Sequence, residues 1–336
     1  MGLLPTACKR TMRGHKGPVY AARFSSDGNY CMSCGRDRTI RLWNPHKGSP
    51  EASHTQSSRP HSDDALLVNT YDGVHGYEVT DLCIAMDNGK FASCGGDKCA
   101  FVWDVASGRV VQRLGGHTER LNAVAFNPEA SVLITGCYDR MLRLWDLRAP
   151  PREPLQALRG FGDSVTSIAL PSLASGNACD EIVTGCVDGV VRTYDLRRGL
   201  VLADDFAAPV TCVSLSRDRK CILAGCLPGS ASVVSSAGAS LQLVEKSSGA
   251  RLAAYQGHKH EHYALGSCLT RDDAHVVSGS EDGRALLWEL VAQRVVATLR
   301  GHSAAVCCVA GHPKNAATVL TASHDGTCKL WARHDD

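Results

Sequence analysis

Residues 115–146 read GGHTERLNAVAFNPEASVLITGCYDRMLRLWD, and the spacing inside this stretch decides the fold. Gly116-His117 opens it, Thr135 and Asp139 stand in its middle, and Trp145-Asp146 closes it. Between these markers the residues alternate apolar and polar, as in Met141-Leu142-Arg143-Leu144-Trp145, with a period of two that belongs to half-buried strands.

The same spacing recurs along the chain. An aspartate stands six residues before an aromatic at Asp37 and Trp43, Asp97 and Trp103, Asp139 and Trp145, Asp188 and Tyr194, Asp282 and Trp288, and Asp325 and Trp331. A hydroxyl stands four residues before each aspartate: Ser33, Ser93, Thr135, Thr184, Ser278 and Thr321. Upstream lie Gly14-His15, Gly116-His117, Gly257-His258 and Gly301-His302, with a degenerate Val74-His75. The interval from Tyr194 to Trp288 is double the rest. It hides a fifth repeat running from Val210 through Cys221-Ile222-Leu223-Ala224 to Leu241-Gln242-Leu243, in which Leu243 is expected at the tryptophan's place. Histidine, hydroxyl, aspartate and tryptophan have vanished from it together. That is the behaviour of one hydrogen-bonded unit, since a partial set would leave buried polar atoms unpaired.

Seven repeats of about forty residues, at about 8–44, 66–104, 108–146, 154–195, 199–245, 250–289 and 293–332, each hold short antiparallel strands joined by turns such as Ser26-Asp27-Gly28. With its Gly-His and Trp-Asp punctuation the chain resembles the WD-repeat family from end to end. The resemblance implies an all-β fold: a single seven-bladed propeller over residues 1–336, each blade a four-stranded antiparallel sheet. It also implies that the stretch Thr6 to Met12 closes the ring, adding the outer strand to the blade built from residues 303–332. Without that strand the blade would end in an unpaired row of backbone groups.

Composition excludes several function classes. Thirty-six basic and 34 acidic residues leave a formal charge of +2, so no global field attracts nucleic acid. No apolar signal region or membrane-length apolar run is seen, which suggests a soluble intracellular chain. Met1-Gly2 with Thr6 fits a myristoylation pattern, but Pro5 lies inside it and an unmodified terminus is expected. The sixteen cysteines read as reduced thiols, and the Cys31/Cys34 pair reads as core packing within a strand, because no second pair follows at zinc spacing. The run His258-Lys259-His260-Glu261-His262 is the one metal-like cluster. On a strand its alternate histidines would share a face, but His258 already serves the repeat, so neither metal nor cofactor is expected. No phosphate-cradling glycine loop is present.

Each repeat presents a histidine, a hydroxyl and an aspartate, such as His15, Ser33 and Asp37, which mimics a hydrolase triad. A catalytic triad occurs once, beside an oxyanion hole, whereas this set recurs with a tryptophan at fixed spacing. The resemblance therefore assigns a structural network to His15, Ser33, Asp37 and Trp43; His75, Ser93, Asp97 and Trp103; His117, Thr135, Asp139 and Trp145; His258, Ser278, Asp282 and Trp288; and His302, Thr321, Asp325 and Trp331. No enzyme is expected.

Propellers of this family often bind partners on the narrower face, through the third and fifth positions after the Gly-His histidine and the residue before the turn aspartate. Carried over by residue, these positions are occupied by Tyr20 and Arg36, Glu78, Arg120, Asn122 and Tyr138, Tyr263 and Glu281, and His324. Two insertions interrupt the pattern. Residues 49–65, polar and with Ser49-Pro50 as their only proline-directed sequence, are expected as an unmodified mobile loop on the opposite face rather than a phosphorylation target; residues 228–240 replace the aspartate turn of repeat five and project toward the binding face.

Beyond the repeat, Asp27-Gly28-Asn29-Tyr30-Cys31, His75-Gly76-Tyr77-Glu78-Val79, Trp103-Asp104-Val105-Ala106-Ser107-Gly108 and Asp188-Gly189-Val190-Val191-Arg192-Thr193-Tyr194-Asp195 resemble the mitogen-activated protein kinase organiser subfamily. This implies a protein-binding scaffold for components of a kinase cascade, cytoplasmic and nuclear, with no direct nucleic-acid or membrane partner and monomeric by itself. The alternative it carries is a protein component of the spliceosome, acting in mRNA splicing, or of another ribonucleoprotein assembly.

Overall fold

The structure is a computed structural model that describes residues 4–48, 63–148, 153–171, 181–228 and 240–333. Within them the chain forms seven four-stranded antiparallel sheets and no helix. Blade one shows the plan. Its strands are Val19–Phe24, Cys31–Gly35, Ile40–Gly48 and Ala65–Tyr71, hydrogen-bonded in sequence order from the innermost outward. The seventh blade breaks that order: Ala7–Arg13 lies outside Thr327–Ala332, pairing antiparallel with it from Ala7 opposite Ala332 to Arg13 opposite Thr327. The ring is thus closed by the amino-terminal strand. The free side of that strand is covered as well, because the Thr11 N–H donates to the Asp63 carbonyl at 2.8 Å and Arg13 pairs with Asp64 at 3.2 Å. The end of the first insertion is therefore anchored; Ser49-Pro50 and the rest of it lie outside the described residues, as do Met1-Gly2 and most of the second insertion.

There is no common core. Seven apolar clusters each join two neighbouring blades: Met12, Trp43, Cys307 and Leu330 bind blade seven to blade one, and Met32, Ile40, Leu82 and Trp103 bind blade one to blade two. Each tryptophan is sealed against the blade beside its own, which is why removing one blade would expose the next.

Six inner strands carry a bulge near their start, at Tyr20, Thr80, Asn122, Thr166, Thr211 and Cys307. A bulge leaves one residue out of the ladder and re-aims its side chain. Here most of those side chains reach the next blade. Thr80 Oγ1 donates to the Leu121 carbonyl at 2.7 Å, Asn122 Nδ2 to Val165 at 2.9 Å, Thr166 Oγ1 to Val210 at 2.8 Å, and Cys307 Sγ to Val19 at 2.8 Å. Thr211 Oγ1 donates to the Gly225 carbonyl in its own blade at 3.2 Å and lies 3.5 Å from His260 Nε2 of blade six, where its counterparts meet a backbone carbonyl. Beside it Cys212 Sγ–H donates to the Ser267 carbonyl of blade six at 3.6 Å.

Candidate interaction face

The sequence-derived network assembles in blades one, two, three and seven. Trp43 Nε1–H donates to Ser33 Oγ at 2.8 Å, the same hydroxyl lies 2.8 Å from His15 Nε2, and His15 Nδ1 lies 3.0 Å from Asp37. The corresponding three distances are 2.9, 2.7 and 2.5 Å through Trp103, Ser93, His75 and Asp97. They are 2.9, 2.8 and 2.9 Å through Trp145, Thr135, His117 and Asp139, and 2.8, 2.8 and 2.9 Å through Trp331, Thr321, His302 and Asp325. Burial alone would raise the Asp37 carboxyl. Hydrogen bonds from His15, the Lys16 N–H and Thr39 outweigh it and hold the group well below the usual carboxylate range, and Asp325 behaves alike. Burial pushes His117 down to about 4 and lowers His75. A neutral imidazole between a carboxylate and a hydroxyl donates through Nδ1–H and accepts at Nε2, so every polar group in the chain is used. The hydroxyls are sealed from solvent, Ser33 at 1% exposure, and no substrate atom could approach them.

Blade six departs from the expectation for His258, Ser278, Asp282 and Trp288. Trp288 Nε1–H donates to the Gln256 carbonyl at 3.0 Å, Ser278 Oγ to the Gly279 carbonyl at 3.0 Å, and Asp282 pairs with Arg284. Both ring nitrogens of buried His258 lack a protein hydrogen-bond partner. The physical reason is two extra residues between histidine and hydroxyl: the 18-residue separation seen for His15 and Ser33 is met here by His260, not by His258. The two rings lie 5.8 Å apart, and burial pushes both down to about 4. Nor is the 258–262 run a strand: it lies in the loop after Arg251–Tyr255, and exposed His262 does not share the buried side of His258 and His260. Among the described residues, Glu261, His262 and Glu281 and the network trio His117, Cys137 and Asp139 bring ligand-type atoms within 4.8 Å of one another.

Blades four and five replace the histidine with phenylalanine. Phe161 precedes Val165, and Phe206 precedes Val210, by the four residues that separate His117 from Leu121, and both rings are buried. In blade five the register also corrects the expected tryptophan position. Trp145 pairs with Leu133, two residues before the hydroxyl Thr135; the equivalent pair is Ile222 with Val244, so Val244 stands there and Leu243 does not. Sequence reading missed these phenylalanines because it searched for polar markers. Their signal was the constant distance to the next inner strand.

The Gly-His loops and the aspartate turns lie side by side, since each loop histidine of the four tetrads bonds its turn aspartate, and the carried-over positions cluster around them. Tyr20 Oη–H donates to Glu78 at 3.1 Å, and its ring meets His324 edge-on at 5.9 Å, which in turn meets Tyr263 at 4.7 Å. These four residues from blades one, two, six and seven form one patch. Burial and the Glu78 carboxylate push the Tyr20 hydroxyl up to about 12. The Arg120 guanidinium covers the Tyr138 ring at 5.5 Å, a cation–π pair that presents a stiffened aromatic surface. Two residues are engaged internally: Asn122 latches blade three to blade four, and Glu281 accepts the N–H groups of Glu261, His262 and Tyr263 at 2.6 to 2.9 Å, fixing the loop that holds Tyr263. The sequence reading passed over Tyr77, which is 66% exposed, more than any of the aromatics it selected. Gly96, before the blade-two aspartate, leaves room for it, since a Cβ there would lie 2.7 Å from that of Tyr77.

This geometry, seven four-stranded blades with a tryptophan tetrad in blades one, two, three and seven, is that of a β-propeller, a class of fold that generally binds other proteins. The chain belongs to the WD-repeat family: the WD domain, G-beta repeat, matches residues 6–44, 66–104, 108–146, 249–289 and 293–332. The unmatched interval contains blades four and five, where the markers are lost. Along 328 residues the chain is 40% identical to WD repeat domain-containing protein 83 of Homo sapiens, covering 98% of this chain and 92% of that protein. It is 30% identical over 352 residues to the Dictyostelium discoideum homolog of that protein, covering 98% and 99%. It is 26% identical to the WD repeat-containing protein 26 homolog of Arabidopsis thaliana, covering 98% of this chain and 51% of that one.

Proposed function

We propose that this protein is a non-enzymatic scaffold that holds components of a mitogen-activated protein kinase cascade on its narrow face. The observation that carries the binding surface is the concentration of exposed aromatics there: Tyr77 at 66%, Tyr138 at 50% beneath Arg120, and Tyr263 at 48% on its pinned loop. Tyrosine supplies large contact area at little cost in side-chain freedom, arginine adds directed hydrogen bonds, and both are enriched among the residues that dominate binding energy at interfaces. Arg36 and the Tyr20, Glu78 and His324 patch complete the surface. The cascade itself rests on the subfamily resemblance of the segments around Tyr30, Tyr77 and Tyr194.

The test is affinity purification from gently lysed cells with wild-type protein and an Arg36→Ala, Arg120→Ala, Tyr138→Ala triple variant. Kinase-pathway proteins recovered by the wild type and lost by the variant, with its melting temperature unchanged, are expected. Splicing factors in their place would move the protein to a ribonucleoprotein assembly, and partners indifferent to the substitutions would refute the face.

A further inference from the structure

The outer strand of blade four, Leu200–Asp205, differs from the other blade edges. Leu200, Val201 and Leu202 are each more than half exposed, at 55, 51 and 52%, and among the described residues no other strand exposes three successive large apolar side chains to this degree. Its inner side pairs with Val190–Asp195 and its outer side pairs with no described strand. Exposed edges are ordinarily blunted by an inward charge, a proline or a cover. The closing strand Ala7–Arg13 illustrates the cover, since Asp63 and Asp64 lie along it. Blade four has none of these within its apolar run.

What flanks that run says what fits it. The sequence is Arg197-Arg198-Gly199-Leu200-Val201-Leu202-Ala203-Asp204-Asp205, with two cations before the strand and two carboxylates at its end. Read antiparallel against itself it is self-complementary. A dyad through Val201 sets Leu200 opposite Leu202 of a second copy and brings each arginine pair to the other copy's aspartate pair. Both ends of the edge are exposed enough to take part: Arg197, Arg198 and Asp205 are exposed and Asp204 is intermediate. A contact that meets itself across a two-fold axis closes after two copies and does not run on into fibres. An antiparallel pairing also extends the blade-four sheet of each copy into one continuous sheet of eight strands, satisfying backbone groups that now face water.

We propose that this edge is a homodimer interface, formed by antiparallel pairing of residues 200–202 with the same residues of a second copy, with Arg197 and Arg198 of the preceding turn meeting Asp205 and Asp204 across the dyad. This departs from the monomer the sequence suggested. The contact is small beside standard interfaces, so the dimer is a weak one that forms in the micromolar range. It leaves both narrow faces free, and a dimer of scaffolds would present each partner site twice.

Sedimentation velocity on the full chain from about 1 to about 100 µM tests the proposal. The expected result is a concentration-dependent shift from monomer toward twice its mass, weakened at high salt because the terminal charge pairs are exposed. Val201→Lys, at an exposed position, places like charges on the dyad and should leave a monomer of unchanged melting temperature. The double variants Arg197→Glu/Arg198→Glu and Asp204→Lys/Asp205→Lys should each fail to self-associate, and their equimolar mixture should recover the dimer. A monomer at about 100 µM, a dimer unaffected by Val201→Lys, or a mixture of folded swap variants that stays monomeric would each overturn the second-copy assignment. A monomer whose Val201→Lys variant loses a captured protein would give the edge to another chain. None of these outcomes depends on the narrow face, so the two readings fail separately.

Discussion

Ser33→Ala and Ser278→Ala are the same substitution at the same place in two repeats, both 1% exposed, and the structure expects different costs. Ser33 Oγ accepts the Trp43 indole N–H at 2.8 Å and donates to His15 Nε2 at 2.8 Å. Deleting it leaves a buried donor and a buried acceptor without partners. Each orphaned group costs about 1–3 kcal/mol, so a loss of roughly 3–4 kcal/mol is expected. Ser278 Oγ donates only to its neighbour's carbonyl, while Trp288 bonds Gln256, so Ser278→Ala should cost about 1 kcal/mol or less. An unfolding entropy near 2.1 cal/mol/K per residue gives roughly 0.7 kcal/mol/K for a chain of 336 residues, so about 1 kcal/mol moves the midpoint by about 1.4 °C. Differential scanning calorimetry should therefore place Ser33→Ala about 4–6 °C below wild type and Ser278→Ala within about 1.5 °C of it. Equal shifts would refute the claim that blade six lacks the tetrad.

Deleting residues 1–13 removes the outer strand of blade seven and uncovers the cluster around Trp43 and Leu330; a lower and broader melting transition is expected, and an unchanged midpoint would show that the strand does not close the ring. Acid should weaken the fold in a definite window. His117, His258 and His260 sit near 4 in the folded state against about 6.5 when unfolded, so below pH 6.5 the unfolded chain takes up protons that the folded chain refuses. Stability is full above that value and falls as pH drops toward 4, read as the urea midpoint across the range. His258→Phe copies the solution of Phe161 and Phe206. It should hold stability at pH 7.5 and flatten the acid loss, and an unaltered slope would count against His258 as a contributor.

How much of this was legible beforehand differs from element to element. The blades were readable because each must solve the same problem with local means: strands of period two, turns at fixed intervals, and a tetrad whose members lie within one repeat. The closing strand was readable only through the family resemblance, which implies that the amino-terminal stretch completes the last blade. Blade six was misread for a physical reason. Gly257-His258 carries the right residues, but two extra residues move the loop, and only packing decides whether His258 or His260 reaches the tryptophan. In blade five, Leu243 and Val244 are equally apolar, and the pairing of Ile222 alone chooses between them.

The narrow face shows the same division. Arg36, Arg120 and Tyr138 could be named only by carrying the family's binding positions onto the repeat. Whether a side chain faces a partner or the next blade could not. Asn122 is spent on the Val165 carbonyl because a bulge re-aims it, and Tyr77 is left bare because Gly96 makes room for it, contacts between residues distant in the chain or on separate turns. The sequence by itself determined what repeats: the number of blades, their strands and the tetrads of blades one, two, three and seven, since these depend on distances along the chain. The tertiary structure alone decided what happens between blades: the latches, the unpartnered His258, the Tyr20, His324 and Tyr263 patch and the bare edge of blade four. Such features depend on distances across space, which no local spacing encodes.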